Sequence, residues 1–442
     1  MTTEPRQRLW AAHAWLPDGW RERVLLEIGD DGCWSAVSAD VASPPADALV
    51  LAGPALPGLV DAHSHAFHRA FAGLTERREA ARDDFWSWRE RMYAVANRLT
   101  PASLRTIAAA LYAELLRGGY TQVCEFHYLH HAPDGTRYAD PLAMSWALAD
   151  AARDAGIGLT LLPVLYERAG FDQPQLHDEQ RRFAAGADDV IAMRDAIRAS
   201  GRPLVRSGVA IHSLRAASPA SIARLAERID DSPLHIHVAE QTAEVDACIA
   251  ATGARPLEWL VRHAPLDERW QLVHATHATP REIDAVAHCG AGVVLCPTTE
   301  ANLGDGIADL PGWLSAGVAL SIGSDSQITR DWREELRLAE YAQRLLRRQR
   351  NVAAAPALAL PSTAERLFSR VQRGGAAAAG FARWGLMAGA RADLLVADAD
   401  DSALSNVPID HLLDAIVFSS PARPWPDVMV AGRWSIEREA QS

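Results

Sequence analysis

Eight short apolar runs recur along this chain, separated mostly by stretches long enough for a helix. That rhythm limits what the chain can fold into. The runs are Leu56–His63, Tyr120–Tyr128, Leu159–Tyr166, Ser207–His212, Leu234–Val238, Gln271–Ala275, Gly292–Cys296 and Ala319–Gly323. Helical patterns such as Pro101–Arg117, Pro219–Ile229 and Pro280–Ala287 lie between them. Continuous apolar strands alternating with helices describe a parallel sheet covered on both faces. Eight units of about 30–40 residues fit an α/β fold of the (β/α)8 TIM-like barrel type, with an open doubly wound sheet as the alternative. Both chain ends carry short β-like pieces, Val24–Ile28 near one and Ala392–Asp398 and Asp427–Gly432 near the other. The expected organisation is a barrel over residues 55–384 and one small β-sandwich-like domain assembled from residues 1–54 and 385–442. Ala66 to Thr100, Trp-rich and amphipathic, is expected as a lid over the barrel's C-terminal face, and the Ala-rich stretch Gly374–Gly380 as a helix edge or turn.

The chemistry sits at the strand ends. His63 and His65 close the first run, and residues two apart on a strand point the same way. The fifth run carries His237, the sixth His274 and the eighth leads to Asp325. Barrel strand ends converge on one cup although they are distant in sequence. Neutral imidazoles and a carboxylate make a suitable ligand set for one divalent metal, most readily Zn²⁺. Five candidates leave one spare. His63, His65, His237 and Asp325 are taken as ligands and His274 as a neighbour, with the exchange of His274 and Asp325 left open. His235 could substitute for His237 but reads better as a packed histidine. Glu240, three residues past His237, is placed to take a proton from water and give one to a leaving nitrogen. The cluster His127, His130 and His131 reads as loop histidines.

Composition enters through what it excludes. The chain has no lysine: all 44 Lys+Arg positions are arginine. A carbamylated lysine bridging two metals is therefore impossible, Glu125 is the one carboxylate considered as another bridge, and a single metal is expected. A net charge of −12 argues against nucleic acid and anionic membranes as partners, yet allows a small anionic substrate held by local arginines. No uncharged apolar run is long enough to span a membrane, and Met1–Arg6 lacks a signal peptide's apolar core. Five scattered cysteines without a C-x-x-C pair suggest reduced thiols and a cytoplasmic setting.

Leu56–His65, His235–Gln241, Leu272–His277, Ser324-Asp325 and Ala388–Leu394 together resemble the amidohydrolase superfamily, in particular its single-metal aminohydrolases. Within it, His63–Ala70, Phe85–Glu90, Glu125–His131 and Cys296–Gly306 resemble the formimidoylglutamate deiminase family. That resemblance implies a zinc enzyme, usually a homodimer, that hydrolyses N-formimino-L-glutamate to N-formyl-L-glutamate and ammonia in histidine degradation. By the same resemblance His63, His65, His237 and Asp325 match metal ligands, and Glu240 and His274 match catalytic positions, with Asp325 helping to orient water. Arg89, Tyr128, His212 and Arg215 match substrate-binding positions. His68 stands where the family pattern has Gln; both can donate a hydrogen bond to substrate. Arginine pairs bidentately with carboxylates, which suits Arg89 and Arg215 to a glutamate derivative. The rival expectations are an aminohydrolase of guanine- or triazine-like rings, an amide hydrolase, and a non-catalytic binding barrel.

Overall fold

The structure, a computed structural model, describes residues 7–78, 84–422 and 424–437. Met1–Arg6, read above for targeting, and residues 79–83 of the expected lid lie outside the described residues. So do the outermost positions of the small-domain ranges.

Eight parallel strands follow one another around a barrel: β1 (Leu59–Ser64), β2 (Tyr120–His127), β3 (Gly158–Leu165), β4 (Val209–Ile211), β5 (Leu234–Val238), β6 (Trp270–His274), β7 (Gly292–Leu295) and β8 (Leu320–Ile322). Each pairs in parallel with its sequence neighbours, which excludes the doubly wound alternative. The ring closes just beyond β8, where Asp325 N–H donates to the His63 carbonyl (2.9 Å) and His65 N–H to the Asp325 carbonyl (3.2 Å). Every residue of β2 and β3 is buried, as expected for strands covered on both faces.

The helices start where capping chemistry puts them. Thr100, Ser218 and Thr279 each accept a backbone N–H three residues on, and each is followed by a proline at the first helical position. A second sheet is formed from both termini. Its strand order is Arg433–Ile436, Asp427–Val430, Leu394–Val396, Ala55–Leu56, Arg8–Leu16, Gly19–Ile28 and Trp34–Ser38, with Ala48–Val50 also on Arg8–Leu16. It has an apolar core of its own, including Leu9, Leu26, Trp34, Leu394 and Met429.

Two elements differ from expectation, and a third is decided between two readings. Leu56 belongs to the terminal sheet rather than to β1: Pro57-Gly58 separates the two, and Leu56 pairs with Leu395. The fourth run is split into Val205–Ser207 and β4 at Gly208, where any Cβ would lie 2.6 Å from the Pro233 carbonyl. Of the two readings of Gly374–Gly380, helix edge or turn, the first holds: the stretch is largely the end of a long helix, Thr363–Ala378. A Cβ at Gly374 would lie 2.0 Å from the Leu320 carbonyl, so glycine lets the helix press on β8. The helix's last carbonyls are satisfied from the barrel: Ala378 accepts from His235 Nε2 (2.8 Å) and Cys124 Sγ (3.6 Å), and Ala379 from Thr160 Oγ1 (3.2 Å).

Candidate active site

The strand ends meet in one cavity. His63, His65 and His237 each bring one ring nitrogen to within 4.8 Å of the others, and His63, His274 and Asp325 form a second such group. His63 Nε2 and His237 Nε2 are 3.0 Å apart, and Asp325 Oδ1 is 3.5 Å from both His63 Nε2 and His65 Nε2. His65 is oriented by its hydrogen bond to the Phe126 carbonyl (3.0 Å), where Nδ1 is the donor and Nε2 keeps its lone pair toward the cup. Burial holds His63, His65 and His237 below the ordinary imidazole range, His65 at about 3. Asp325 is held well below the usual carboxylate range: burial opposes this, but His63, His274 and His65 outweigh it. Neutral nitrogens converging on a carboxylate, with few protons to share among them, are the donor set of a divalent cation.

On the far side of this cluster stands an acid–base group. His274 Nε2 lies 3.7 Å from Glu240 Oε1 and 3.7 Å from Asp325 Oδ2, and His274 Nδ1 lies 3.3 Å from Glu300 Oε1. Burial pushes Glu240 up to about 7. His274 rises to about 10: burial opposes the charge, but Glu240, the bond to Glu300 and Asp325 favour it. Glu244 accepts the backbone N–H groups of Ala239 (3.2 Å) and Glu240 (3.0 Å), locking the loop that carries Glu240. Asp305, bonded to the Gln241 amide, is driven up to about 9 by burial. Two further donor groups share His274, one with Cys296 and Glu300 and one with Glu240 and Asp305. Ala239, His274, Ala275 and Asp325 all have left-handed backbone, at φ 52°, 68°, 47° and 48°. Such non-glycine conformations cost about 1–2 kcal/mol each and gather at functional sites.

The opposite wall comes from outside the barrel. The helix Phe85–Ala96 turns Phe85, Trp88, Arg89, Met92 and Tyr93 into the cavity, the three-and-four spacing of a single helix face. Arg89 stacks over Trp86 at 4.4 Å and Arg215, following β4, lies 5.7 Å from the same ring. Among the described residues neither arginine has a carboxylate within ion-pair distance, and Arg89 Nε is buried without a hydrogen-bond partner. His68 Nε2 is hydrogen-bonded to Tyr128 Oη (3.2 Å), and His212 lies beside Tyr166 at 4.5 Å. All five residues expected to touch substrate, His68, Arg89, Tyr128, His212 and Arg215, therefore line one cavity with His65, His237, Glu240, His274 and Asp325.

Glu125 is committed elsewhere: it accepts from Ala66 N–H (2.7 Å), Ser64 Oγ (3.0 Å) and Tyr112 Oη (3.2 Å). His235 is bonded to Ala378. His127, His130 and His131 form no convergent donor group among the described residues. The sequence reading missed Glu244, Glu300 and Asp305, and the tyrosines Tyr93 and Tyr166, whose hydroxyls accept from Gln180 Nε2 at 3.2 and 2.9 Å.

A (β/α)8 barrel with this donor set at its C-terminal rim defines a metal-dependent hydrolase. The model of the amidohydrolase family matches residues 55–435, and the chain belongs to that family. It is similar to formimidoylglutamate deiminase of Pseudomonas aeruginosa, 46% identical over 430 residues that cover 97% of this chain and 94% of that protein. It is also 31% identical over 368 residues to 5-methylthioadenosine/S-adenosylhomocysteine deaminase of Natronomonas pharaonis, covering 82% of this chain and 77% of that one. The crystal structure of an amidohydrolase from Brucella melitensis matches with a TM-score of 0.92 at 40% identity, over 98% of this chain and 95% of that one.

Proposed function

We propose that this chain hydrolyses N-formimino-L-glutamate to N-formyl-L-glutamate and ammonia, with one Zn²⁺ held by His63, His65, His237 and Asp325. The observation that carries the reading is the cavity's two-ended chemistry: a metal donor set at one end, and Arg89 and Arg215 without carboxylate partners at the other. The P. aeruginosa relative's name supplies the substrate that fits both ends. When bound, the metal supplies Lewis acidity that makes water a competent nucleophile near neutral pH.

The residues do the rest. Arg89 and Arg215 pair with the glutamate carboxylates, and His68, Tyr128 and His212 fix the chain between them. This places the formimino carbon beside Glu240. Glu240 takes a proton from the attacking water as the C–O bond forms, giving a tetrahedral carbon. The same carboxyl returns the proton to the imino nitrogen and then carries the hydroxyl proton to it as well; the C=O bond forms, the C–N bond breaks, and ammonia leaves. Asp325 orients the water, and His274 stabilises the charge that builds on the new oxygen. A single-metal site agrees with the missing lysine and with Glu125 being tied to Ser64, Ala66 and Tyr112. The same reading takes residues 55–384 as the catalytic barrel and 1–54 with 385–442 as the small domain, except that Ala55–Leu56 joins the terminal sheet.

A ring aminohydrolase is the second reading, favoured by the aromatic wall of Phe85, Trp88, Tyr93, Tyr128, Tyr166 and Phe183. The two arginines speak against it, because a neutral ring leaves both charges without partners. Resemblance to the formimidoylglutamate deiminases further suggests a role in histidine degradation, a cytoplasmic setting and a homodimer. Among the described residues no helix is long and apolar enough to cross a membrane. The deciding assay is ammonia release from N-formimino-L-glutamate, guanine and formimino-glycine by metal-replete protein. Rapid release from the glutamate compound alone is expected; release from guanine instead replaces the substrate assignment.

A further inference from the structure

We infer that Glu300 is the positioning residue for His274, fixing which ring nitrogen faces the reacting centre. The inference rests on the reading of His274 as a group at that centre. An imidazole can present either edge and either tautomer unless a neighbour decides. His274 has such a neighbour on each side. Nδ1 faces Glu300 Oε1 at 3.3 Å, while Nε2 faces Glu240 Oε1 and Asp325 Oδ2, both at 3.7 Å. The Glu300 oxygen that faces Nδ1 already accepts the Cys296 N–H, so it accepts from Nδ1 too and leaves Nε2 as the working nitrogen.

Glu300 is itself held in place. Its Oε1 also accepts the Cys296 N–H (2.8 Å), and the side chain is buried. The short helix bearing it, Pro297–Leu303, is clamped on both sides. Thr298 N–H and Oγ1 donate to Glu335 (2.9 and 2.5 Å), and Thr299 Oγ1 is bonded to Ser326 Oγ (3.0 Å) beside Asp325. Glu300 does not line the cavity; its side chain meets the cavity's residues at His274. The left-handed backbone of His274 gives this contact a second task, because a strained residue keeps its conformation only where its surroundings fix it.

The test is a double-mutant cycle with Glu300→Ala, Glu300→Gln, His274→Asn and the pair His274→Asn with Glu300→Ala. Each is assayed for kcat and KM of ammonia release from N-formimino-L-glutamate and for bound metal. Glu300→Ala should lower kcat about 10- to 100-fold while KM and metal content stay put. Glu300→Gln should recover most of that loss, since its amide oxygen accepts both hydrogen bonds. In the His274→Asn background Glu300→Ala should cost nothing more. The same loss with and without His274, or an unchanged kcat in Glu300→Ala, overturns the inference. The ¹⁵N signals of the His274 ring, assigned by their disappearance in His274→Asn, give a reading without turnover. Nδ1 should carry its proton in the wild type and in Glu300→Gln, and a wild-type ring with Nδ1 unprotonated overturns the proposal even if Glu300→Ala does not fold. A wild type that releases no ammonia refutes the substrate reading, while the ring spectrum still decides the role of Glu300.

Discussion

The two ends of the cavity are built by different means. The metal-facing end comes from strand termini, where the sheet's hydrogen-bond register fixes each side chain: His237 pairs with Val273 and Val238 with His274. The arginine end comes from the helix Phe85–Ala96 and the segment after β4, where Arg89 and Arg215 are held mainly by stacking around Trp86. The first end is rigid because moving one ligand means shearing a parallel barrel. The second is set by a helix face outside the barrel, and can change its selectivity without disturbing the chemistry. On the proposed function, one end fixes the reaction and the other chooses the molecule.

The sharpest way to break that division is Glu240→Gln. It should lower kcat by about 10²- to 10⁴-fold with bound metal unchanged in elemental analysis; near-normal turnover would remove Glu240 from the chemistry. At the other end, Arg215→Met should lower kcat/KM about 10- to 100-fold, the worth of one charge-assisted hydrogen bond, again with metal intact. Unchanged efficiency would move the carboxylate anchor elsewhere.

A third test asks what the catalytic end costs the fold. Burial lifts Glu240 to about 7, so the folded chain prefers its protonated form. That preference stabilises the fold fully below the ordinary carboxylate value and is lost as pH rises through about 7. In chelated protein, Glu240→Gln should therefore melt a few degrees above wild type at pH 8, with the gap widening between about pH 5 and 7 and levelling beyond. A constant gap would assign the effect to packing. The smallest effect belongs to His68→Gln. Glutamine can keep a bond to Tyr128 Oη, so kcat/KM should stay within about 10-fold of wild type; a larger loss would make the imidazole itself a specificity element.

The same contrast explains what the sequence made legible. Strands buried on both faces are mostly apolar, so all eight runs could be read directly; period-two geometry put His63 and His65 on one rim, and the convergence of barrel strand ends brought His237 to it. The exceptions were long-range. The break at Gly208 depends on the Pro233 carbonyl, and the helical state of Gly374 on the backbone of Leu320. No local pattern contains those partners, and propensity alone argues against glycine in a helix. Arg89 and Arg215 were found by resemblance, although the spacing of Phe85, Trp88, Arg89, Met92 and Tyr93 on one helix face was a usable signal. Glu300 lay in a stretch that carried the resemblance, yet its partner His274 sits on another strand. Glu244 was within reach, as an acid four residues past Glu240 in the first turn of a helix.

The closure of the barrel at Ser64 and Asp325 also sets a timetable. During synthesis β1 emerges early and His237 much later, and the chain must still lengthen by β6, β7 and β8 before Asp325 can bond to the backbone of His63 and His65. In the proposed ligand set the last donor to arrive is the only carboxylate, and its arrival is also the act that shuts the ring. On the proposed ligand set, the three imidazoles are therefore made before the oxygen donor, which comes into place only at completion. The full donor set is on that reading a property of finished topology, complete in the moment the first strand finds the last.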